Sequence, residues 1–175
     1  EIKTILNKNN FFLKKNFVLQ KLDKFNFLES IIVKKILPSE INIYVKKTKF
    51  IGVSIINGEK YYIGRNGKLT NSKQVNKEKN LPFVFGKFQI NDFLELQDIL
   101  KKLKINSKEF SKYFYYRNKR WDLQKEDGLL VMLPSKNPNN ALTIYKKLIE
   151  SGKLSKIKIV DLRISNQITL TNEKK

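Results

Sequence analysis

Hydrophobic positions change their period along the chain, and each change predicts a different kind of element. Residues 14–25 place Val18, Leu22 and Phe25 at helical spacing on one face, and residues 2–8 suit a shorter helix before it. The period then becomes two, and a proline-containing turn separates two short alternating runs. The beginning of the chain therefore predicts helix, helix, strand, turn, strand.

Strand signals dominate the remainder of the chain, because turn dipeptides separate short apolar runs. Dipeptides of this type suit the positive φ angles that tight hairpins require. The polar residues 71–80 carry no period and predict a surface loop, and the short apolar piece LPFVFG follows them. The turn dipeptides are Asn57-Gly58, Asn66-Gly67 and Asp127-Gly128.

Two helices interrupt these strands. Residues 90–104 form an amphipathic pattern in which Asp92 and Glu95 resemble a capping box. The second helix is predicted to begin with a cap at Asn137, before Pro138, and to end at Gly152. The order becomes strands, helix, strands, helix, strands, which predicts an α+β fold. The expected buried faces consist of Ile90, Phe93, Leu94, Leu100 and Leu103 in the first helix and of Ala141, Leu142, Tyr145, Leu148 and Ile149 in the second.

Composition limits the chemistry that the chain can perform. It has 175 residues, 41% of them hydrophobic, which is enough for a packed core, and it has no histidine and no cysteine. Thiol nucleophiles, disulfides and the usual zinc sites are therefore excluded, and so is the commonest general base. An enzyme would depend on carboxylates, lysine or serine. No apolar run reaches the roughly 18 residues that a membrane span needs, and no signal peptide is visible.

The charge balance is strongly positive, with 36 Lys and Arg against 16 Asp and Glu and a formal net charge of +20. Such a charge attracts nucleic acid, anionic lipid or an acidic partner. However, the positive charge is almost entirely lysine spread along the whole chain, and nucleic-acid readers tend to use arginine. A solvated surface is favoured over a dedicated polyanion site. The arginines are Arg65, Arg117, Arg120 and Arg163.

The aromatic stretch KYFYYRNKRW, residues 112–121, allows two interpretations. Its rings and cations could form a stacking platform for single-stranded nucleic acid. In a strand, however, Tyr113 and Tyr115 point one way while Phe114 and Tyr116 point the other, as in a sheet with one face on a core. The structural interpretation is favoured.

The segment KIKIVDLRISNQITL near the end places Asp161 and Arg163 on one face of a predicted strand, two residues apart. Such a pair usually makes a surface ion pair or fixes a turn, and a lone Asp without a second acid or base is a poor catalyst. The strand that follows has few residues after it, so its far edge is expected to be open.

Five stretches of the chain form a recognisable series: LESIIVKKILPSEINIYV, YYIGRNGKL, LPFVFG, RWDLQKEDGLLVMLP and IKIVDLRI. Together they cover most of residues 1 to 170, and the last, which contains the Val-Asp-Leu-Arg strand, is the most specific. In this order they resemble the FtsQ/DivIB family of bacterial cell-division proteins.

The resemblance implies a small POTRA-type α/β unit lacking its first strand, over residues 1–49. A larger, mostly antiparallel β domain with two helices follows over residues 50–175. It also implies a non-enzymatic scaffold of the division complex, the periplasmic part of a single-pass inner-membrane protein at the septum whose N-terminal anchor is absent from this chain. The expected partners are FtsB and FtsL, with other divisome components as further partners of the POTRA unit, and no cofactor or nucleic acid.

By the same resemblance, the partner-binding residues lie in the terminal segment and near the tryptophan hairpin. Arg163 falls on the family's Arg beside the FtsB contact surface, and Ile164 stands where many relatives carry an aromatic residue. An open terminal edge would receive a partner strand by β-augmentation. The alternative is a basic nucleic-acid-binding module, and a carboxylate-only enzyme ranks third. The expected partner-binding set is Arg163, Ile164, Ser165, Asn166, Gln167, Ile168, Thr169, Leu170, Thr171, Arg117, Arg120 and Trp121.

Overall fold

The computed structural model describes residues 15–36, 40–165 and 167–172. The helix predicted over residues 2–8 and the turn at Pro38 lie outside the described residues, as does Asn166. Within the described part, the strands belong to two separate sheets, one of two strands and one of nine.

The first sheet is a hairpin covered by one helix. Helix α1 (Lys15–Asp23) precedes strands β1 (Leu28–Ile36) and β2 (Glu40–Lys47), which pair antiparallel. Val18 and Leu22 of α1 are buried against the face of the hairpin that carries Val33. The two strands and the burial of Val18 and Leu22 are therefore confirmed, but Phe25 lies beyond the end of α1 and is not part of a helical stripe.

The second sheet contains all the remaining described strands. Its spatial order is β11-β10-β9-β8-β7-β6-β3-β4-β5. The β9/β10, β3/β6 and β6/β7 pairs are parallel, and the other neighbours are antiparallel. The strands are β3 (Phe50–Ile56), β4 (Glu59–Gly64), β5 (Leu69–Asn71), β6 (Phe83–Phe85), β7 (Phe110–Tyr115), β8 (Trp121–Lys125), β9 (Leu130–Met132), β10 (Ile157–Asp161) and β11 (Thr169–Asn172).

Two helices cover one face of this sheet, which we call the covered face. They are α2 (Ile90–Lys102) and α3 (Pro138–Glu150). The opposite face, which no helix of the described residues covers, is called the outer face. The α+β class predicted from the sequence is confirmed. The main core lies between the covered face and the helices, and its buried members include Ile63, Val84, Phe93, Leu100, Tyr113, Leu123, Val131, Leu142, Tyr145 and Val160.

Four details of the helices differ from the sequence-based expectation. The capping interaction of α2 joins Gln89 N–H to the Asp92 carboxylate at 3.2 Å, rather than using Glu95. Leu96 is buried and Leu94 is only half-buried, because the helix turns a neighbouring row of side chains to the sheet.

In α3, Asn137 has a left-handed backbone (φ 55°) and makes no side-chain cap hydrogen bond. Ile149 is exposed because it lies at the edge of the buried stripe. Gly152 ends the helix with φ 67°, as predicted.

The predicted hairpin turns are present. Asn57 and Gly58 both have positive φ (51° and 79°) between β3 and β4, as a two-residue turn demands. Between β4 and β5 only Gly67 has positive φ, because Asn66 uses its side chain to accept from Lys68 N–H at 3.2 Å. The predicted loop over residues 71–80 is wrong at its start, where Asn71 ends β5 and a short 3₁₀ turn follows.

Asn66 also connects the two sheets. Its side-chain amide donates to the carbonyl oxygens of Asn26 (2.9 Å) and Leu28 (3.1 Å). The Asn26 amide returns a hydrogen bond to Leu69 O at 2.9 Å. Since β2 ends at Lys47 and β3 begins at Phe50, the first sheet continues almost directly into the second while remaining separate from it.

Candidate partner-binding site

Strand β11 forms one end of the nine-stranded sheet. It pairs antiparallel with β10 on one side, with Val160 opposite Leu170 and Asp161 opposite Thr169, and no described strand lies on its other side. All four of its residues are exposed. A strand in this position presents unpaired N–H and C=O groups along its free side.

A tight turn leads from β10 into this edge. Gln167 N–H donates to Ile164 O at 3.2 Å, so the turn takes up more of the chain than the two residues that the sequence suggested. Strand β11 therefore begins at Thr169 rather than at Gln167. Ile164 is the most exposed large apolar side chain in the described residues, at 63%, and Ile168 and Leu170 are exposed as well. Ser165 is also exposed.

Asp161 and Arg163 form a bidentate ion pair at the start of this turn. Arg163 Nε lies 2.9 Å from Asp161 Oδ1, and Nη2 lies 2.6 Å from Oδ2. The backbone N–H of Arg163 donates to the same carboxylate at 3.0 Å. These hydrogen bonds lower the pKa of Asp161, and the carboxylate raises the pKa of Arg163. The pair fixes the end of β10, which is one of the roles that the sequence suggested for it.

A second ion pair lies on the outer face at β8. Arg120 donates to Asp122 through Nε (3.2 Å to Oδ1) and Nη2 (3.3 Å to Oδ2), and the Asp122 side chain is almost fully buried, at 1% exposure. The guanidinium carbon of Arg120 also lies 4.1 Å from the centre of the Tyr116 ring. Arg120 is therefore held from two sides, by a carboxylate and by an aromatic face.

The sheet register places the two ion pairs on strands β8 and β10, with β9 between them. Asp122 of β8 lies opposite Met132 of β9, which in turn lies opposite Asp161 of β10. These positions alternate with Leu123, Val131 and Val160 of the core, so both carboxylates belong to the outer face. Arg120 and Arg163 thus lie on the same face, Arg163 beside the open edge and Arg120 nearer the middle of the sheet.

The remaining predicted residues of the tryptophan hairpin are separated by the sheet. Trp121 is buried on the covered face, where its ring packs 4.7 Å from Tyr115 and 5.7 Å from Phe93. Its side chain is not presented beside Arg120. Arg117 lies in the turn between β7 and β8 and is exposed.

Burial also decides between the two interpretations of the aromatic stretch. Tyr113 is fully buried, and burial raises its pKa. Tyr115 donates to the Asp92 carboxylate of α2 at 2.8 Å and so joins sheet to helix. With Trp121 in the core as well, three of the rings expected in a stacking platform pack on the covered face. The structural interpretation is confirmed.

Two residues of this site were not singled out from the sequence. Asp122 stands between Trp121 and Leu123, which are both core residues, so it occupies the outer face of a strand whose other face is buried. A carboxylate in the middle of an apolar strand, two residues after an arginine, is the signal that could have identified it. Tyr116 was noticed as an aromatic residue, but its contact with Arg120 depends on the turn between the strands.

Within the described residues, His, Cys, Asp and Glu side chains form no group of three or more that could hold a metal ion. No helix among the described residues is both long enough and apolar enough to cross a membrane.

Comparison with known proteins identifies the family of this chain. The chain is an α+β protein in which helices cover one face of a large mixed sheet. The family model described as "Cell division protein FtsQ/DivIB, C-terminal" matches residues 54–163, which is more than half of the chain. The chain therefore belongs to the FtsQ/DivIB family of cell division proteins.

Several curated relatives carry the name "Cell division protein FtsQ". The protein of Rhizobium radiobacter is 24% identical over 163 residues, a match that covers 86% of this chain and 73% of the relative. That of Bradyrhizobium diazoefficiens is 27% identical over 164 residues, covering 91% of this chain and 47% of the relative. The chain spans about half the length of this relative and of those from Agrobacterium fabrum (48%) and Rhizobium meliloti (47%).

Among solved structures, the major extracytoplasmic domain of DivIB from Geobacillus stearothermophilus is similar to this chain. The identity is 16% and the TM-score is 0.42, and the match covers 61% of this chain and 94% of that one.

Proposed function

We propose that this protein is a non-enzymatic scaffold of the bacterial division complex and binds FtsB- and FtsL-type partners, in part by strand addition at β11. Membership of a cell-division family supports the cellular role. The observation that carries the binding mode is the open side of β11, an exposed strand at the end of a nine-stranded sheet. Strand addition to such an edge supplies affinity through main-chain hydrogen bonds and specificity through alternate side chains.

The charges near this edge favour an acidic partner strand. Arg163 uses Nε and Nη2 for Asp161, and the hydrogen bonds described for it leave Nη1 for a carboxylate of the partner. Arg117 is exposed on the turn beside the second ion pair. Arg120 contributes indirectly, since Asp122 and Tyr116 already occupy it. The net charge of +20 accelerates encounter with acidic partners at low salt.

The organisation and location follow from the same proposal. Residues 1–49 act as a partial POTRA unit and residues 50–175 as the β domain, and the POTRA unit contacts other division proteins. The separation of the two sheets at Thr48 and Lys49 supports this division. The whole is the periplasmic part of a single-pass inner-membrane protein at the septum, anchored by a segment outside this chain.

The edge is tested by calorimetric titration with the C-terminal region of the FtsB-type protein from the same genome. Neighbouring residues of a strand direct their N–H groups to opposite sides, so one of Thr169→Pro and Leu170→Pro removes a donor from the free side of β11. That variant is expected to weaken binding by about 100-fold, or about 2.7 kcal/mol, and to keep most of the fold. Arg163→Glu is expected to weaken binding about 10-fold through charge reversal.

Matched controls separate the backbone from the side chains. Thr169→Ala and Leu170→Ala keep both N–H groups and are expected to bind within a few-fold of the parent protein. Lys153→Glu reverses an exposed charge beyond α3 and leaves the affinity unchanged. Parent-like affinity in both proline variants and in Arg163→Glu would show that the partner does not use this edge.

A further inference from the structure

Three phenylalanine rings form a stack on the outer face, in the middle of the nine-stranded sheet. Phe83 and Phe85 of β6 lie 6.0 Å apart, and Phe85 lies 5.3 Å from Phe114 of β7, with the ring planes within 16° of parallel in both pairs. Phe83 and Phe85 are each 38% exposed and Phe114 is half-buried. Val84, which alternates with the two rings of β6, is in the core, so the stack points away from α2 and α3.

This stack is a bounded patch. On one side, Val53 and Tyr62 of the outer face are buried in a separate cluster that Phe27, Val75 and Leu81 help to cover. On the other side, Phe114 lies opposite Asp122, whose ion pair with Arg120 begins a polar region. The rings therefore lie between a buried apolar cluster and a buried ion pair, and no described helix or strand covers them. We call the stack, with the exposed Ile55 of β3, the aromatic patch.

Each strand of the aromatic patch already pairs with another strand on both of its sides. Strands β3, β6 and β7 are internal, so their backbone groups pair within the sheet and an added strand has no place there. A partner must instead pack side chains on the face, as α2 and α3 do on the covered face. An α-helix is the element that commonly covers a sheet face in this way.

Two lysines flank the patch, and neither has an acidic partner among the described residues. Lys112 lies opposite Phe83 in the β6/β7 register, and Lys60 lies opposite Ile55 in the β3/β4 register. Neither lysine forms a salt bridge within the described residues, and Lys60 lies instead over the Tyr62 ring. The surface is thus apolar at its centre and positive at its margin.

We propose that the aromatic patch binds an amphipathic α-helix of a partner protein, with apolar residues facing the rings and Asp or Glu residues facing Lys60 and Lys112. The patch crosses β3, β6 and β7, which is two strand spacings or about 10 Å. Two to three turns of helix, about 7 to 11 residues, span it, so apolar residues at i, i+3, i+4 and i+7 are sufficient. This site is distinct from β11 and does not rest on strand addition there.

The test uses a defined helical probe. A stapled, fluorescein-labelled peptide of about 14 residues carries Leu at i, i+3, i+4 and i+7 and Glu elsewhere, and a counterpart carries Lys in place of Glu. Fluorescence anisotropy is expected to show binding of the acidic probe and at least 10-fold weaker binding of the basic one. Phe85→Ser and Phe83→Ser are each expected to weaken the acidic probe about 10-fold or more.

Controls distinguish this patch from general stickiness and from the edge. Phe17→Ser removes an exposed ring from α1 and should bind as the parent does, and so should Leu170→Pro at β11. Thermal unfolding verifies that each serine variant is folded. The proposal is overturned if the two probes bind equally. It is also overturned if both serine variants bind the acidic probe as tightly as the parent protein does.

A second measurement identifies the occupant in the full-length protein in its own host. Benzoylphenylalanine at position 85 is photo-crosslinked, and the crosslinked residue is mapped by mass spectrometry. The proposal expects an amphipathic, acidic helical segment of a partner, and expects the crosslink to persist with Leu170→Pro. A crosslink to a second copy of this chain, to lipid, or to a partner segment without that pattern contradicts it.

Discussion

The two ends of the nine-stranded sheet differ in the contacts that they make with the rest of the molecule. At the β5 end, Thr70 is fully buried, the carbonyl of Leu69 accepts a hydrogen bond from Asn26, and Lys68 forms an ion pair with Asp23 at 3.7 Å. At the β11 end, all four strand residues are exposed and no described element covers the free side. The β5 end is partly covered by residues that precede β1, whereas the β11 end is open within the described residues.

This contrast narrows the choice of partner site. An edge strand has to be paired, covered or protected, because its unpaired backbone groups attract other strands. The segment that leads into β1 covers part of the β5 end. Asn26 donates to Leu69 O of β5, and Asn66, in the turn before β5, donates to the carbonyls of Asn26 and Leu28. Of the two ends of this sheet, β11 is therefore the one at which strand addition requires no rearrangement of the described residues.

The largest expected effect concerns the buried ion pair of β8, which is separated from the open end by β9 and β10. Arg120→Met leaves the Asp122 carboxylate buried without its partner, and removal of one member of a buried ion pair costs about 3 kcal/mol of unfolding free energy. Asp122→Asn in the same background is expected to restore most of that loss. Urea denaturation of the single and double variants measures both values. A loss below about 1 kcal/mol in Arg120→Met would mean that the pair does not support the sheet.

A smaller effect on stability is expected at the β5 end. Asn66→Ala removes two hydrogen bonds to the carbonyls of Asn26 and Leu28 and one to Lys68 N–H, which together contribute about 1–2 kcal/mol. Hydrogen exchange should then accelerate in β5 and leave β11 unchanged. Asn106→Ala is the matched control, because its side chain accepts a hydrogen bond from Lys108 N–H in the turn before β7 and makes no bond to either end of the sheet. If the amides of β5 exchange at the same rate in Asn66→Ala as in the parent protein, the Asn66 hydrogen bonds do not protect the β5 end.

The smallest effect concerns the turn before β11. The pKa of Asp161 lies below its usual value of 3.8 because Arg163 hydrogen-bonds its ionised form. A lowered folded pKa contributes stability that is present above 3.8 and is lost as pH falls through the folded pKa. Asp161→Asn should therefore be less stable than the parent at pH 6, and the difference should vanish in acid.

NMR titration of the Asp161 carboxyl checks the cause of this shift. In Arg163→Gln the pKa of Asp161 should rise towards 3.8. An Asp161 pKa that is the same with and without the guanidinium would contradict the role given to the ion pair.

Local features of the fold were predictable from the sequence, since local chemistry determines them. Asn57 and Gly58 specify their hairpin turn through the φ angles that they tolerate, and Gly152 ends α3 for the same reason. Val18 and Leu22 of α1 were predicted as buried because they repeat at helical spacing.

Features that depend on distant pairing were not predictable in the same way. The parallel pairing of β9 with β10 joins strands on either side of α3, and hydrophobic period does not specify it. The burial of Asp122 depends on the strands that flank β8, whereas the position of Trp121 on the opposite face follows from the alternation of side chains along the strand. The ion pair of Asp161 and Arg163 was predicted from their spacing of two residues, although β10 ends at Asp161, whereas the ion pair of Arg120 required the fold.

The most direct test of the account is amide hydrogen exchange of β11 with and without the FtsB-type partner segment. If a partner strand pairs with this edge, amides in Thr169–Asn172 that exchange rapidly in the free protein become protected in the complex. The amides of β5 keep the same exchange rates in both states. Saturating binding with no gain of protection in β11 would contradict strand addition and leave the open edge without its proposed role.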